Sequence, residues 1–168
     1  MILTLTGFMG CGKSRIGREL SALLEWEFVD LDRYIEHKMG QRISEIFNDG
    51  EERFRAIEAE ALRDVVVMHE VTGGNVVLAL GGGTIMTPCA RELILKRTTC
   101  VYLQAGLDTI FKHAECGARK RPLFRETYQV EELLDSRTPT YETAHFTVPV
   151  DGREASDIAK EIAATVIR

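Results

Sequence analysis

Residues 2–14 read Ile2-Leu3-Thr4-Leu5-Thr6-Gly7-Phe8-Met9-Gly10-Cys11-Gly12-Lys13-Ser14, and the fold turns on this stretch. Its second part fits the phosphate-cradling pattern G-x-x-x-x-G-K-[ST]. Its first part is a short apolar, β-branched run, as a buried strand is. After Ser14, Ile16, Leu20, Leu23 and Leu24 recur at helical spacing. Strand, glycine loop and helix thus follow in the order the pattern requires. Glycines let successive backbone N–H groups point inward at phosphate oxygens. The helix start adds unpaired N–H groups and a partial positive charge. Gly10, Cys11, Gly12, Lys13, Ser14 and Arg15 are therefore expected to hold a nucleoside triphosphate. Lys13 would reach the β- and γ-phosphates, and the Ser14 hydroxyl would hold Mg²⁺.

Outward from this stretch, strand and helix patterns alternate. Apolar runs predict strands over 26–30, 76–80, 99–103 and 146–150. Helical spacing predicts helices over 33–39, 43–47, 51–69, 88–96, 107–116, 129–143 and 155–167. This alternation implies a parallel sheet covered on both faces, a three-layer α/β/α arrangement. The runs at 2–6 and 76–80 are apolar throughout, which suits the middle of such a sheet. Ligands of these sheets lie at the carboxyl ends of the strands. The glycine loop, Asp30, Asp32 and Gly81–Gly83 all fall at such ends.

A chain of 168 residues is expected to form one domain, 1–168. The net charge of −5 argues against a nucleic-acid partner, which needs a basic surface. No apolar run approaches the ~20 residues of a membrane span. No secretory signal precedes the first strand. Cys11, Cys89, Cys100 and Cys116 are scattered, with no C-x-x-C spacing, and read as reduced thiols of a cytoplasmic protein.

Other residues carry chemistry in more than one reading. Asp30 and Asp32, placed on a strand end, would share one face. Such a pair often makes a helix cap or a solvated turn. Beside a triphosphate it can support Mg²⁺ through water and position an acceptor hydroxyl. Arg55 and Glu58 share a helix face and, taken alone, read as a surface ion pair. Gly81-Gly82-Gly83 is either a plain turn or a place where a substrate meets bare backbone. The basic stretch from Arg119 to Arg125, broken by proline, is a solvated loop or a lid that brings a guanidinium onto the transferring phosphate. Cys11 is either a small residue that fits or a thiol activated by the helix terminus. His37, His69, His113 and His145 show no metal spacing and read as structural.

The whole chain resembles the shikimate kinases, P-loop NTPases of the nucleoside-monophosphate-kinase-like group. The resemblance rests on the Gly7–Ser14 loop, Phe28-x-Asp30-x-Asp32, Phe54-Arg55-x-x-Glu58, Gly81-Gly82-Gly83, Arg121-Pro122-Leu123 and Arg137-x-Pro139-x-Tyr141, in that order. It implies a five-stranded parallel sheet, an acceptor-binding helical segment about 33–61 and a mobile lid about 112–125. It also implies ATP-dependent phosphorylation of the shikimate 3-hydroxyl, in aromatic amino-acid biosynthesis, by a cytoplasmic monomer. In that family Lys13, Asp32 and Arg121 would be catalytic. Asp30 would support Mg²⁺ through water, and Asp32 would bind the acceptor hydroxyls and serve as the base. Arg55 and Arg137 would clamp the shikimate carboxylate, with Gly81, Gly82 and Gly83 beside it. The nucleoside triphosphate held by residues 10–15 would be ATP, and Arg121 and Arg153 would join its site. One departure is Ala114, where the family often has an arginine against the adenine. A gluconate kinase, or a nucleotide-binding module without catalysis, would share the loop, and the latter would not need two carboxylate-clamping arginines.

Overall fold

A computed structural model describes residues 1–116 and 127–167, apart from the side chains of 115 and 116. Its five strands are β1 (Ile2–Thr6), β2 (Glu27–Asp30), β3 (Val76–Ala79), β4 (Thr99–Gln104) and β5 (Phe146–Pro149). They form one parallel sheet in the order β2-β3-β1-β4-β5. β1 and β3 are buried at every position, as their unbroken apolar runs imply. β2 and β5, the edges, are largely part-exposed.

The helices are α1 (Lys13–Leu24), α2 (Leu31–Met39), α3 (Ile43–Asn48), α4 (Glu51–Thr72), α5 (Pro88–Arg97), α6 (Leu107–Cys116), α7 (Thr127–Tyr141) and α8 (Ala155–Val166). Alternation along β1 assigns them to two faces. Leu5 points to α1, where a Cβ built on Gly17 would lie 3.4 Å from Leu5 Cδ1 and 2.5 Å from Phe28 Cε2. Thr4 points the other way, sharing a 2.9 Å hydrogen bond with Thr98 at the end of α5. α1 packs on α8, and α4 on α5, so each face has its own helical layer. In α1, Ile16 and Leu20 enter the core, whereas Leu23 of the same expected stripe is half exposed.

From β1 the chain builds β2 and β3 on one side, then β4 and β5 on the other. The carboxyl end of β1 is thus a switch point, where parallel sheets open a crevice. The glycine loop sits there.

Candidate active site

The loop between β1 and α1 is held by its own atoms. Gly7 needs to be glycine: its φ is +146°, and a Cβ would stand 2.7 Å from the Leu103 carbonyl oxygen. Lys13 is 9% exposed, and its ammonium donates to the carbonyls of Gly7 (2.8 Å) and Phe8 (3.0 Å). Cys11 is buried with its Sγ 3.8 Å from Lys13 Nζ, so it fits as a small core residue. Gly12 caps α1 in the left-handed conformation.

Ser14, in the first turn of α1, donates to Asp30 Oδ2 at 2.6 Å. Asp30 closes β2 and is the N-cap of α2, accepting from the Arg33 amide at 3.3 Å. The helix therefore begins at Leu31, two residues earlier than its spacing suggests. Asp32 lies in the first turn of α2 and not on a strand face. The two carboxylates are neighbours by helix capping rather than by strand alternation. Burial pushes the Asp32 carboxyl up from 3.8 to about 6, and Asp30, Glu58 and Glu36 act in the same direction, against Lys13.

Across from it stand Arg55 and Glu58 of α4. Arg55 Nη1 donates to Glu58 Oε1 at 2.8 Å, and Glu58 is only 2% exposed. Glu58 is buried and Arg55 half-buried, so this is not the surface pair that the i,i+3 spacing alone suggests. Glu58 Oε2 also accepts from the Thr84 hydroxyl at 2.8 Å, in the 3₁₀ turn Thr84–Met86. Removing Arg55 would strand the buried Glu58 carboxylate, and breaking a buried pair in this way typically costs about 3–5 kcal/mol.

The glycine run after β3 lies at the centre of these groups. A Cβ on Gly81 would meet Glu58 Oε2 at 2.9 Å and Asp32 Oδ1 at 3.2 Å. A Cβ on Gly83 would overlap the Arg55 guanidinium. One on Gly82 would lie 3.2 Å from the Met9 amide nitrogen and 3.8 Å from Arg137 Nη1. Side chains are thus kept out of the space between the phosphate loop, Asp32, Arg55 and Arg137. Arg137 of α7 is buried, its guanidinium 5.9 Å from the centre of the Phe8 ring. Tyr141, one turn on, donates to the Gly82 carbonyl at 2.5 Å and stacks on Tyr102.

The remaining expected residues are less convergent. Arg15 is exposed, 3.7 Å from Glu154. Arg153 donates to the Pro149 carbonyl at 2.8 Å and pairs with Glu161. Arg121 and most of the expected lid, 117–125, lie outside the described residues. Three contacts were not readable from local pattern: Thr84 on Glu58, Tyr141 on Gly82, and His113, whose Nδ1 lies 2.6 Å from the Gly10 carbonyl oxygen. Among the described residues no group of three His, Cys, Asp or Glu side chains is arranged to hold a metal. Mg²⁺ does not require one, because it is commonly held by one or two carboxylates together with substrate phosphates. The hydroxyl–carboxylate pair Ser14–Asp30 offers hard oxygen ligands that fit it.

A five-stranded parallel sheet of this order, with a lysine-bearing glycine loop at its switch point, defines a P-loop kinase. The family model described as "Shikimate kinase" matches residues 9–167. A shikimate kinase of Thermus thermophilus is 44% identical over 95% of this chain and 86% of its own. The chain belongs to the shikimate kinase family. A structure of shikimate kinase from Acinetobacter baumannii in complex with shikimate superposes with a TM-score of 0.86 at 34% identity, over 96% of this chain and 89% of that one. A gluconokinase from Sinorhizobium meliloti 1021 superposes with a TM-score of 0.63 at 14% identity, over 96% and 89%, and shares the fold alone.

Proposed function

We infer that this protein transfers the γ-phosphate of ATP to the 3-hydroxyl of shikimate, giving 3-phosphoshikimate and ADP in aromatic amino-acid biosynthesis. The observation that carries the reading is the convergence of Asp32, Arg55, Arg137 and the side-chain-free run Gly81–Gly83 beside the phosphate loop. Shikimate has one carboxylate, suited to forked guanidinium groups, and adjacent hydroxyls, suited to an aspartate.

In this mechanism Lys13 leaves the Gly7 and Phe8 carbonyls for the β- and γ-phosphates. Ser14 would hold Mg²⁺ through its hydroxyl and Asp30 through a bound water; bound there, the ion neutralises charge on the phosphates. Arg55 and Arg137 grip the acceptor carboxylate, and the Glu58–Thr84 contact holds Arg55 in place. Asp32 takes the proton of the acceptor hydroxyl as the oxygen bonds to the γ-phosphorus and the bond to ADP breaks. A carboxyl pushed to about 6 is a stronger base than an ordinary aspartate and is still ionised at neutral pH. Arg121 is the lid arginine of this reading, placed on the transferring phosphate by a closing segment. Arg15 and Arg153 border the nucleotide.

The protein acts as a cytoplasmic monomer in this reading, without nucleic-acid or membrane partners. Cys11, Cys89 and Cys100 are free, as in a reducing compartment. No helix among the described residues is long and apolar enough to cross a membrane. The test is coupled ADP release with Mg²⁺–ATP, measured with and without shikimate and with gluconate as the alternative acceptor. Shikimate-dependent release is expected. Release with gluconate only would overturn the assignment.

A further inference from the structure

α6 is fastened to the nucleotide side of the molecule at two points. At its start, the Asp151 carboxylate accepts from the Gly106 amide at 3.0 and 3.1 Å and from the Thr109 hydroxyl at 2.6 Å. Further along, α6 presses on the phosphate loop. A Cβ on Gly10 would lie 3.1 Å from the Ile110 carbonyl oxygen. Three residues later, on the same helix face, His113 Nδ1 lies 2.6 Å from the Gly10 carbonyl oxygen. A carbonyl only accepts, so Nδ1 carries the proton.

The other end of that peptide unit is also held, because the Cys11 amide donates to the Phe8 carbonyl at 3.2 Å. The Gly10–Cys11 peptide is therefore pinned at both ends, within the loop read as the phosphate cradle. Gly10 has a φ of +82°, and a loop this rich in glycine loses much conformational freedom when it is ordered around a ligand. A bond from outside the loop reduces that loss by ordering it beforehand. His113 is itself exposed, so its ring adds little to the core and its contribution is the hydrogen bond.

We propose that His113 is a positioning residue for the nucleotide, holding the Gly10–Cys11 peptide in the shape that receives the phosphates. This rests on the reading of Gly7–Ser14 as the ATP site. It is independent of which acceptor is phosphorylated.

The test compares His113→Phe, which keeps a ring but removes the donor, with His113→Asn, whose amide nitrogen can stand in for Nδ1. Mg²⁺–ADP is titrated into each by calorimetry, and KM for ATP and for the acceptor is measured in the coupled assay. His113→Phe should weaken ADP binding about three- to tenfold, the worth of one net hydrogen bond. KM for ATP should rise in parallel, with kcat and the acceptor KM within about twofold. His113→Asn should recover most of the loss. Unchanged ADP affinity in His113→Phe would overturn the proposal. So would equal losses in both variants that track a lowered unfolding temperature, since that pattern marks a merely structural contact. The titration needs no acceptor, so a failure of the shikimate assignment leaves its outcome readable. A wild type that does not bind Mg²⁺–ADP overturns this proposal and the nucleotide reading together.

Discussion

The phosphate loop and the cluster proposed to bind the acceptor differ in how they are built. The loop is one run of eight residues, and its charged member, Lys13, is satisfied by carbonyls five and six residues away. The acceptor cluster draws on α2, α4, the glycine run and α7, and its charges come from separate places in the chain. The Lys13 ammonium and the Cys11 amide turn inward onto the loop, whereas the Ser14 hydroxyl, on Asp30, and the Gly10 carbonyl, on His113, have partners beyond it. In the cluster, burial works against the Asp32 carboxylate, and the like charges of Asp30, Glu58 and Glu36 add to it. An element built from one local run suits any nucleoside triphosphate. A discontinuous one, with a carboxyl held against its preference for ionising, suits one acceptor and one proton transfer. Damage to the cluster should therefore show in acceptor kinetics and in turnover, with nucleotide binding nearly intact.

The largest effect is expected at Asp32. Replacing it by Asn keeps the size and removes the base. kcat should fall by roughly 10²–10⁴-fold, the usual contribution of general base catalysis. ATP affinity, measured by titration, should barely move. Near-normal turnover would remove Asp32 from the chemistry and leave the cluster a binding site only.

Arg55→Lys comes next. A lysine keeps the charge but loses the planar fork, and hydrogen bonds to charged groups are worth about 1.5–3 kcal/mol each. Shikimate binding should weaken roughly ten- to a hundredfold, since about 1.4 kcal/mol is a factor of ten. A shikimate analogue without its carboxylate should bind both proteins about equally poorly. Were that analogue to lose as much as shikimate does, Arg55 would be serving the fold through Glu58 and not the acceptor.

The Asp32 carboxyl also makes a pH prediction. With its ionisation near 6, kcat/KM should fall about tenfold between pH 7 and pH 5, and the acid limb should vanish in Asp32→Asn. Stability runs the other way. The folded value lies above the unfolded one, so the stability Asp32 contributes is complete below about pH 4 and is lost as pH rises through about 6. The displacement from 3.8 to about 6 corresponds to ~3 kcal/mol at most. Asp32→Asn should thus be more stable than wild type at pH 8, with the advantage gone near pH 4. Denaturant midpoints at the two pH values measure this. Equal midpoint differences at both would show that Asp32 ionises freely in the fold.

The same contrast explains what the sequence could and could not reveal. The loop was legible because its chemistry lies within one motif, and the strands because apolar runs such as Val76–Ala79 have few other uses. The acceptor cluster was legible as residue types only through family resemblance. Its couplings were not, because Thr84 meets Glu58 across 26 residues and Tyr141 meets Gly82 across 59, and the loop's own outside tie, His113 on Gly10, spans 103. No periodicity spans such distances. The start of α2 departs from its apolar spacing for a local reason. Asp30 ends a strand and caps a helix at once, and the strand reading hides a capping signal that is present in the sequence.

The smallest expected effect tests whether the two regions are as separate as this contrast implies, because Gly82 borders both. Its position lies against the Met9 amide on the loop side and Arg137 on the acceptor side. The Tyr141 hydroxyl holds the Gly82 carbonyl, and Tyr141 shares α7 with Arg137, four residues earlier. Burial pushes the Tyr141 phenol well above its ordinary range, so it stays a neutral donor at any working pH. Tyr141→Phe keeps the ring and its stacking on Tyr102, and it removes the hydroxyl that ties Gly82 and also meets Arg137. Stability should fall by about 1 kcal/mol, the net worth of one hydrogen bond. The released glycine run should raise the acceptor KM by about two- to fivefold, because α7 then carries Arg137 without its tie to the backbone it faces. KM for ATP should remain within experimental error if the loop is held independently of the glycine run. An equal rise in both constants would mean that strain passes from the glycine run to Met9 and into the loop, and that the two regions work as one mechanical unit.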